Sequence, residues 1–218
     1  MSRDETPEAS DFREMAADRR KHPKDDLVTM VVDARIDGEP MPEETVLGIL
    51  NLLLIAGNET TRNATSGGMQ ALLDHPTEYQ RLRENPGLLD SAIEEMLRWT
   101  SPLIHFVRHL SEDAEVGGVR IPKGDRVVLF YPSANRDESI FPDPYRFDIT
   151  RSPNDHLAFG GFGEHYCLGA NLARMELRVA FRHLLSRLPR IEQDGPIKRT
   201  RNILIGGISH LPVRIATG

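Results

Sequence analysis

The sequence has a single cysteine, no apolar run long enough to cross a bilayer and no excess of positive charge. Each shortage excludes something. One thiol forms no disulfide within the chain and cannot by itself supply an iron–sulfur cluster or a four-cysteine zinc site, so a reducing compartment is expected. The longest apolar stretch, Val46 to Ala56, falls short of the roughly 20 residues that a spanning helix needs, and Asn51 interrupts it. The opening "MSRDETPEASDFREMAADRRKHPKDD" mixes both charge signs with no apolar segment, so no secretory signal is read and the expected location is cytoplasmic. A net charge of -6 gives no general case for nucleic-acid binding. What is present, 39% apolar residues over 218 positions, suffices for a buried core, and one domain over 1–218 is expected.

Along the chain, residues 1 to 26 read as a polar, helical lead-in. The apolar "LVTMVV" follows, then a turn at Asp37-Gly38. From Pro42, "PEETVLGILNLLLIAGNETTRNATSGGMQALLD" has proline and two acids where a helix N-terminus favours them, and it continues until His75-Pro76 stops it. Its first half is apolar nearly all round, which predicts a helix passing through the middle of a protein. "TEYQRLRENP" and "GLLDSAIEEMLRWTSP" predict two further helices, the second with Leu89, Ala92, Ile93, Met96 and Leu97 at helical spacing. "AEVGGVRIPKGDRVVLFYP" predicts strands around Gly and Pro-Lys-Gly turns. Residues 133 to 154 fit no regular element, and so long a coil in a compact domain is usually functional or tied down. A helix from Leu168 to Leu188, stopped by Pro189, and a terminal hairpin around Gly206-Gly207 complete the reading.

The cysteine lies in "AFGGFGEHYCLGANLAR", residues 158–174. A lone intracellular cysteine is most often a small buried hydrophobe. Here its neighbours point elsewhere. Glycines at 160, 161, 163 and 169 permit positive φ and let the backbone approach something flat and bulky. The start of a helix beside Cys167 favours thiolate, which can act as nucleophile or as metal ligand. As a nucleophile it would need a base, and His165 is poorly placed for that on an extended loop. One thiolate facing a large planar group matches haem, for which cysteine is a known axial ligand.

Phe-Gly-x-x-Gly-x-His-x-Cys-x-Gly followed by Leu-Ala-Arg resembles the cysteine-ligand loop of the cytochrome P-450, or haem-thiolate monooxygenase, family of bacterial type. The resemblance implies a mainly α fold with small β-sheets (α+β), the C-terminal portion of the P-450 fold. It implies haem b with Cys167 as axial metal ligand, Phe159 packed nearby and His165 on a haem propionate, with Gly163, Gly169 and Ala173 as further cofactor contacts. The family's phenylalanine usually stands one residue nearer the cysteine, so this loop carries an extra glycine at 160 or 161, as some lipid- and sterol-oxidising members do.

Other stretches extend the likeness. Ala56-Gly57-Asn58-Glu59-Thr60-Thr61 is similar to the family's central-helix motif. A mid-helix threonine can bond back to the carbonyl four residues earlier, here Ala56, and bend the ladder. The resemblance makes Ala56 and Gly57 cofactor contacts with room beside Gly57 for dioxygen, and makes Glu59 and Thr60 the acid and hydroxyl that relay protons. "EEMLR" resembles the family's Glu-x-x-Arg helix and "FPDPYRF" the irregular segment that supplies a second arginine, which implies a buried Glu95–Arg98–Arg146 network with a structural role. Arg108, read as preceding the first strand, corresponds to an arginine that clamps a haem propionate. Arg174, Arg178 and Arg182 recur at four-residue spacing, and the family's cysteine side is where an electron donor docks, which implies a ferredoxin or flavoprotein partner near Arg178 and Arg182, with electrons ultimately from NAD(P)H.

The resemblance runs from about Lys24 to the end of the chain and covers the parts of the family's C-terminal half only. It implies insertion of one oxygen atom from dioxygen into a C–H bond of an apolar small molecule of sterol, fatty-acyl or terpenoid type. A fragment of a longer enzyme is expected, with apolar faces of the central helix left uncovered. The alternative is a non-catalytic haem-binding remnant without a complete substrate pocket. No nucleic acid and no membrane span are expected.

Overall fold

A computed structural model describes residues 7–188 and 191–215. Two compact units divide between Glu59 and Thr60. The first begins with α1 (Pro7–Lys21) and α2 (Leu27–Asp33), the latter formed by "LVTMVV". Asp26 caps α2, accepting hydrogen bonds from Thr29 N at 2.8 Å and Arg19 Nε at 2.6 Å. The bond from the Thr29 amide, then that from Arg19, holds its carboxyl down at about 2. Strands β1 (Arg35–Ile36) and β2 (Glu39–Pro40) pair across Asp37-Gly38, whose φ angles of 53° and 85° suit the primed turn of a two-residue hairpin. Helix α3 (Glu43–Asp74) then starts with its two acids in the first turn. Its Val46 and Leu50 join Ala16 and Val32 in the core of this unit. The apolar first half of α3 is nevertheless covered on one face only: Leu52, Leu54 and Ile55 remain 63%, 48% and 54% exposed. Burial all round is therefore not what the described residues provide.

In the second unit the rest of α3, from Thr60, packs with α4 (Pro76–Glu84), α5 (Leu89–Thr100) and, further along the chain, α7 (Ala170–Arg187). Gly67 and Gly68 allow close approach. A methyl at 68 would lie 2.9 Å from Met96 Sδ and 3.1 Å from Phe181 Cζ, and one at 67 would lie 2.6 Å from Thr100 Cγ2. Leu72, Leu82, Ile93, Met96, Leu177 and Phe181 are almost wholly buried in the resulting core. Removing each such side chain from water is worth about 1.5–3 kcal/mol.

After α5 come β3 (His105–His109), β4 (Ala114–Val116), β5 (Val119–Ile121) and β6 (Arg126–Phe130). Among the described residues the named strands pair antiparallel in two-stranded sheets; β3 pairs with β6, so that Arg108 faces Val127, and β4 pairs with β5. Arg108 thus lies inside a strand rather than ahead of the first one. The helical turn α6 (Tyr131–Ala134) opens a segment without further helices or sheet strands that lasts until α7 (Ala170–Arg187). Pro189, read as the stop of that helix, lies outside the described residues. The terminal strands correct the expected hairpin. β9 (Ile208–His210) pairs with β8 (Lys198–Arg199), and β10 (Val213–Ile215) pairs with β7 (Ile191–Gln193). Gly207 is no turn residue: it is buried against Asn63, whose Oδ1 would be 2.8 Å from an added methyl. The architecture is mainly helical with small sheets, as expected. Among the described residues no helix is long and apolar enough to cross a membrane.

Candidate functional site

Backbone hydrogen bonds shape the cysteine loop. Gly160 N donates to Leu157 O at 2.9 Å, Tyr166 N to Gly163 O at 3.1 Å, and Cys167 N to Phe159 O at 3.0 Å. Gly160 and Gly163 take φ angles of 85° and 92°, which side-chain-bearing residues rarely adopt. Gly169 caps α7, and Ala170 N donates back to Cys167 O at 3.2 Å. Cys167 is therefore fixed just ahead of a helix N-terminus, with its side chain exposed. Phe159 is half-buried and Ala173 sits half-buried in the first turn of α7, while Gly163, His165 and Gly169 are exposed. Phe162 is 100% and Leu168 91% exposed beside the thiol. A methyl added at Gly161, Gly163 or Gly169 would meet nothing within 4 Å. One soft thiol ligand, an apolar fringe and a side-chain-free backbone form a face that fits a flat, metal-bearing apolar group. Among the described residues no cluster of three or more His, Cys, Asp and Glu offers an alternative metal site.

Glu95 and Arg98 of α5 are both wholly buried. Each of the guanidinium's N–H donors has a partner: Nε and Nη2 bond Glu95 Oε2 and Oε1 at 2.7 and 2.8 Å, Nη1 bonds Asn135 O and Pro144 O at 2.8 and 2.9 Å, and Nη2 also bonds Arg146 O at 3.3 Å. Glu95 additionally accepts from Asp148 N at 2.9 Å, Asn154 Nδ2 at 3.1 Å and Arg151 Nε at 3.2 Å. The second arginine is thus Arg151 and not Arg146. The Arg146 side chain is 66% exposed and lies 3.8 Å from Asp148, so it contributes only its main-chain carbonyl. Arg151 also spans Pro142 O, Asp143 O and Arg146 O at 2.7, 3.1 and 2.9 Å, which ties the irregular segment to itself as well as to α5. Alternation along the chain carried this signal. Phe147, Ile149 and Arg151 occupy every second position and turn inward together, with Arg146 and Asp148 on the other side.

Arg108 Nη1 donates to Val107 O at 3.2 Å, and its guanidinium carbon lies 5.9 Å from the Phe106 ring centroid. The side chain is half-buried with no ion-pair partner among the described residues. On α3, the helix runs unbroken through Ala56, Gly57, Glu59 and Thr60. Ala56 and Gly57 are exposed, Glu59 and Thr60 half-buried, and a side chain at 57 would meet open space. Ala56, Gly57 and Glu59 belong to the first unit and Thr60 to the second.

The basic stripe of α7 is largely neutralised. Arg174 grips Glu94 with Nε and Nη2 at 2.7 and 2.8 Å, and Arg178 Nε meets Asp90 at 2.6 Å. Arg182 is exposed beside a cleft of about 390 Å³ that Leu82, Leu89 and Leu185 also line. Glu94, Asn135, Arg151, Asn154 and His156 are site-supporting residues absent from the motif reading.

A helical scaffold that presents one exposed thiol in a glycine-rich loop just ahead of a helix N-terminus, with a buried Glu-x-x-Arg pair on α5, matches the haem-thiolate class of protein. Comparison agrees with that class. The family model for Cytochrome P450 matches residues 4–206, and the chain belongs to that family. It is similar to the "Methyl-branched lipid omega-hydroxylase" of Mycobacterium tuberculosis (strain ATCC 25618 / H37Rv), with 46% identity over 91% of this chain and 47% of that protein. It is also similar to the "Steroid C26-monooxygenase" of Rhodococcus jostii (strain RHA1), with 44% identity over 94% of this chain and 43% of that protein. Among solved structures, Mycobacterium marinum cytochrome P450 CYP268A2 in complex with pseudoionone superposes with a TM-score of 0.91 at 40% identity, over 94% of this chain and 50% of that one. The chain spans about half the length of the curated relatives it matches.

Proposed function

We propose that the chain is the C-terminal part of a haem-thiolate monooxygenase domain that hydroxylates an apolar lipid. The observation that carries this is the Cys167 loop: an exposed thiol held by the Cys167–Phe159 backbone bond ahead of α7, with open space over its glycines and Phe162 and Leu168 at its rim. Cys167 is the iron ligand. When bound, haem b supplies dioxygen activation: one atom enters a substrate C–H bond and the other leaves as water, with two electrons and two protons consumed. His165 and Arg108 hold the propionates, and the Arg108 guanidinium is suited to this because among the described residues its hydrogen bond goes to the Val107 carbonyl and not to a carboxylate. Phe159, Gly163, Gly169 and Ala173 are cofactor contacts in the second unit, and Ala56 and Gly57 of the first unit are the further contacts that the family resemblance implies, with nothing within 4 Å of a side chain added at 57. Glu59 and Thr60 hold and hand on protons, the carboxyl giving to the hydroxyl. Of the evenly spaced Arg174, Arg178 and Arg182, Arg182 is the exposed one and the centre of the electron-donor contact, with Arg178 beside it already paired to Asp90. A ferredoxin or flavoprotein, reduced at the expense of NAD(P)H, fits that surface. The lipid and steroid relatives support a long, apolar substrate.

The test is spectroscopic. The 218-residue chain, reconstituted with haem, reduced and exposed to carbon monoxide, is expected to show the red-shifted Soret band of thiolate ligation, and Cys167→Ala to lack it. A band that survives Cys167→Ala overturns the assignment. Exposed Leu52, Leu54 and Ile55 favour a second reading, in which this chain alone binds haem without closing a substrate pocket. Stoichiometric haem with no product under reductase or peroxide drive would establish that reading; turnover would exclude it.

A further inference from the structure

A second carboxylate on α5, next to the Glu-x-x-Arg pair but facing another way, joins both ends of the cysteine loop. Glu94 accepts from Arg174 of α7 at 2.7 and 2.8 Å and lies 3.0 Å from His156 Nε2. His156, only 3% exposed at its side chain, receives the Ala158 N–H at its Nδ1 at 3.2 Å. That contact makes Nδ1 the acceptor and puts the ring proton on Nε2, where it is donated to Glu94. The entry to the loop is thereby held by one ring nitrogen of the imidazole and the carboxylate by the other. On the exit side, the Arg174 guanidinium lies 4.5 Å from the Phe159 ring centroid. Phe159 in turn is the residue whose carbonyl receives the Cys167 amide.

We infer that Glu94, His156 and Arg174 form a positioning network for Cys167. Glu94 is the shared anchor, His156 sets the backbone at Ala158-Phe159, and Arg174 stacks on Phe159 from the far side. The network is separate from the one at Glu95. Glu95 and its partner Arg98 tie α5 to the irregular segment from Asn135 to Asn154, whereas Glu94 ties α5 to the ligand loop itself. Burial pushes the Glu94 carboxyl up, yet the bonds from His156 and Arg174 outweigh it and hold it at about 2, so the anchor is a carboxylate at any working pH. The arrangement also accounts for Arg174: it braces the cysteine loop and is not a free docking cation. This inference rests on the reading of Cys167 as the iron ligand, but its first test needs no haem.

In the haem-free chain, amide hydrogen exchange of residues 157–167 reads the loop directly. Glu94→Gln, which places an amide against two donors, and His156→Leu are each expected to speed exchange there about tenfold, the size of one lost charge-assisted hydrogen bond. His156→Gln carries an N–H for Glu94 and an oxygen for Ala158, and it is expected to restore much of the protection. Asp90→Asn breaks the neighbouring α5–α7 pair with Arg178 and is expected to leave the loop unchanged. With haem added, Glu94→Gln is expected to convert part of the thiolate-type carbon monoxide band to the thiol type at equal haem content. Unchanged loop exchange in a folded Glu94→Gln overturns the inference. If that variant does not fold, equal exchange in His156→Leu and His156→Gln overturns it instead. Absence of the thiolate-type band in the unsubstituted chain would refute the haem reading and leave the exchange result standing.

Discussion

Arg151→Ala and Arg146→Ala separate the buried arginine from the exposed one more sharply than any inspection of the motif. The Arg151 side chain is 9% exposed, shares its Nε hydrogen between both oxygens of the wholly buried Glu95 and gives three hydrogen bonds to main-chain carbonyls. Truncation removes a partner of a buried carboxylate, which in general costs about 3–5 kcal/mol. Here Glu95 keeps Arg98, the Asp148 amide and Asn154, and Pro142 and Asp143 are exposed enough for water to replace the lost donors, so the lower end applies, about 3 kcal/mol. For a chain of this size each kcal/mol moves Tm by about 2–4 °C, giving a fall of about 6–12 °C. Arg146→Ala removes a solvent-screened pair with Asp148 and leaves the carbonyl that Arg98 and Arg151 use, so it is worth at most about 0.5 kcal/mol, below about 2 °C. Circular dichroism melts of the two variants and the parent, with urea titration to check that the m-value is unchanged, decide the matter. A loss in Arg146→Ala equal to that in Arg151→Ala would refute the reasoning.

Gly68→Ala and Gly48→Ala, two identical changes in one helix, are expected to act with opposite sign. The first drives a methyl against Phe181 and the Met96 Cβ and should destabilise by about 1–3 kcal/mol, while the second enters open space and should stabilise by about 0.5–1 kcal/mol; urea denaturation measures both, and a shared sign contradicts the packing. For pH, Glu94 is depressed to about 2 from an ordinary 4.5, so its contribution is complete above about pH 4.5 and disappears as pH falls through 2. Stability measured from pH 6 to pH 2 should therefore fall less steeply in Glu94→Gln than in the parent, and parallel curves would show that the carboxylate has no stabilising partners.

The parts of the molecule legible in the sequence were those set by local chemistry. Pro42 with Glu43 and Glu44, the His75-Pro76 stop and the spacing of Leu89, Ile93 and Met96 predict α3 and α5 to within a residue or two, because caps, prolines and helical periodicity act within a few positions. Asp37-Gly38 predicts its turn for the same reason. The terminal strands were misread because alternation reveals a strand but not its partner. Ile208–His210 looks equally ready to fold back on Val213–Ile215 and to pair with Lys198–Arg199, and the burial of Gly207 on Asn63 selects the second.

The cysteine loop and the arginine behind it show the same division inside the site. Gly160 and Gly163 must be glycine for reasons local to their φ angles, so the loop announces itself in seventeen residues. Alternation groups Arg151 with Phe147 and Ile149 and sets Arg146 on the other side with Asp148, but which arginine is needed inside "FPDPYRFDITR" follows only once Glu95 is placed across the fold. Glu94 and Glu95 make the point with adjacent residues of one type on one helix. A step of about 100° around α5 points Glu95 at Arg98 and Arg151 and Glu94 at Arg174 and His156. A motif that names the first acid is silent on the second, although it is the second that touches both ends of the loop carrying Cys167. Conversely, an acidic pair ahead of Met-Leu-Arg, a histidine two residues before Ala158 and an arginine seven after Cys167 together constitute a signal that spacing alone could have supplied, once the two carboxylates were asked to face different partners.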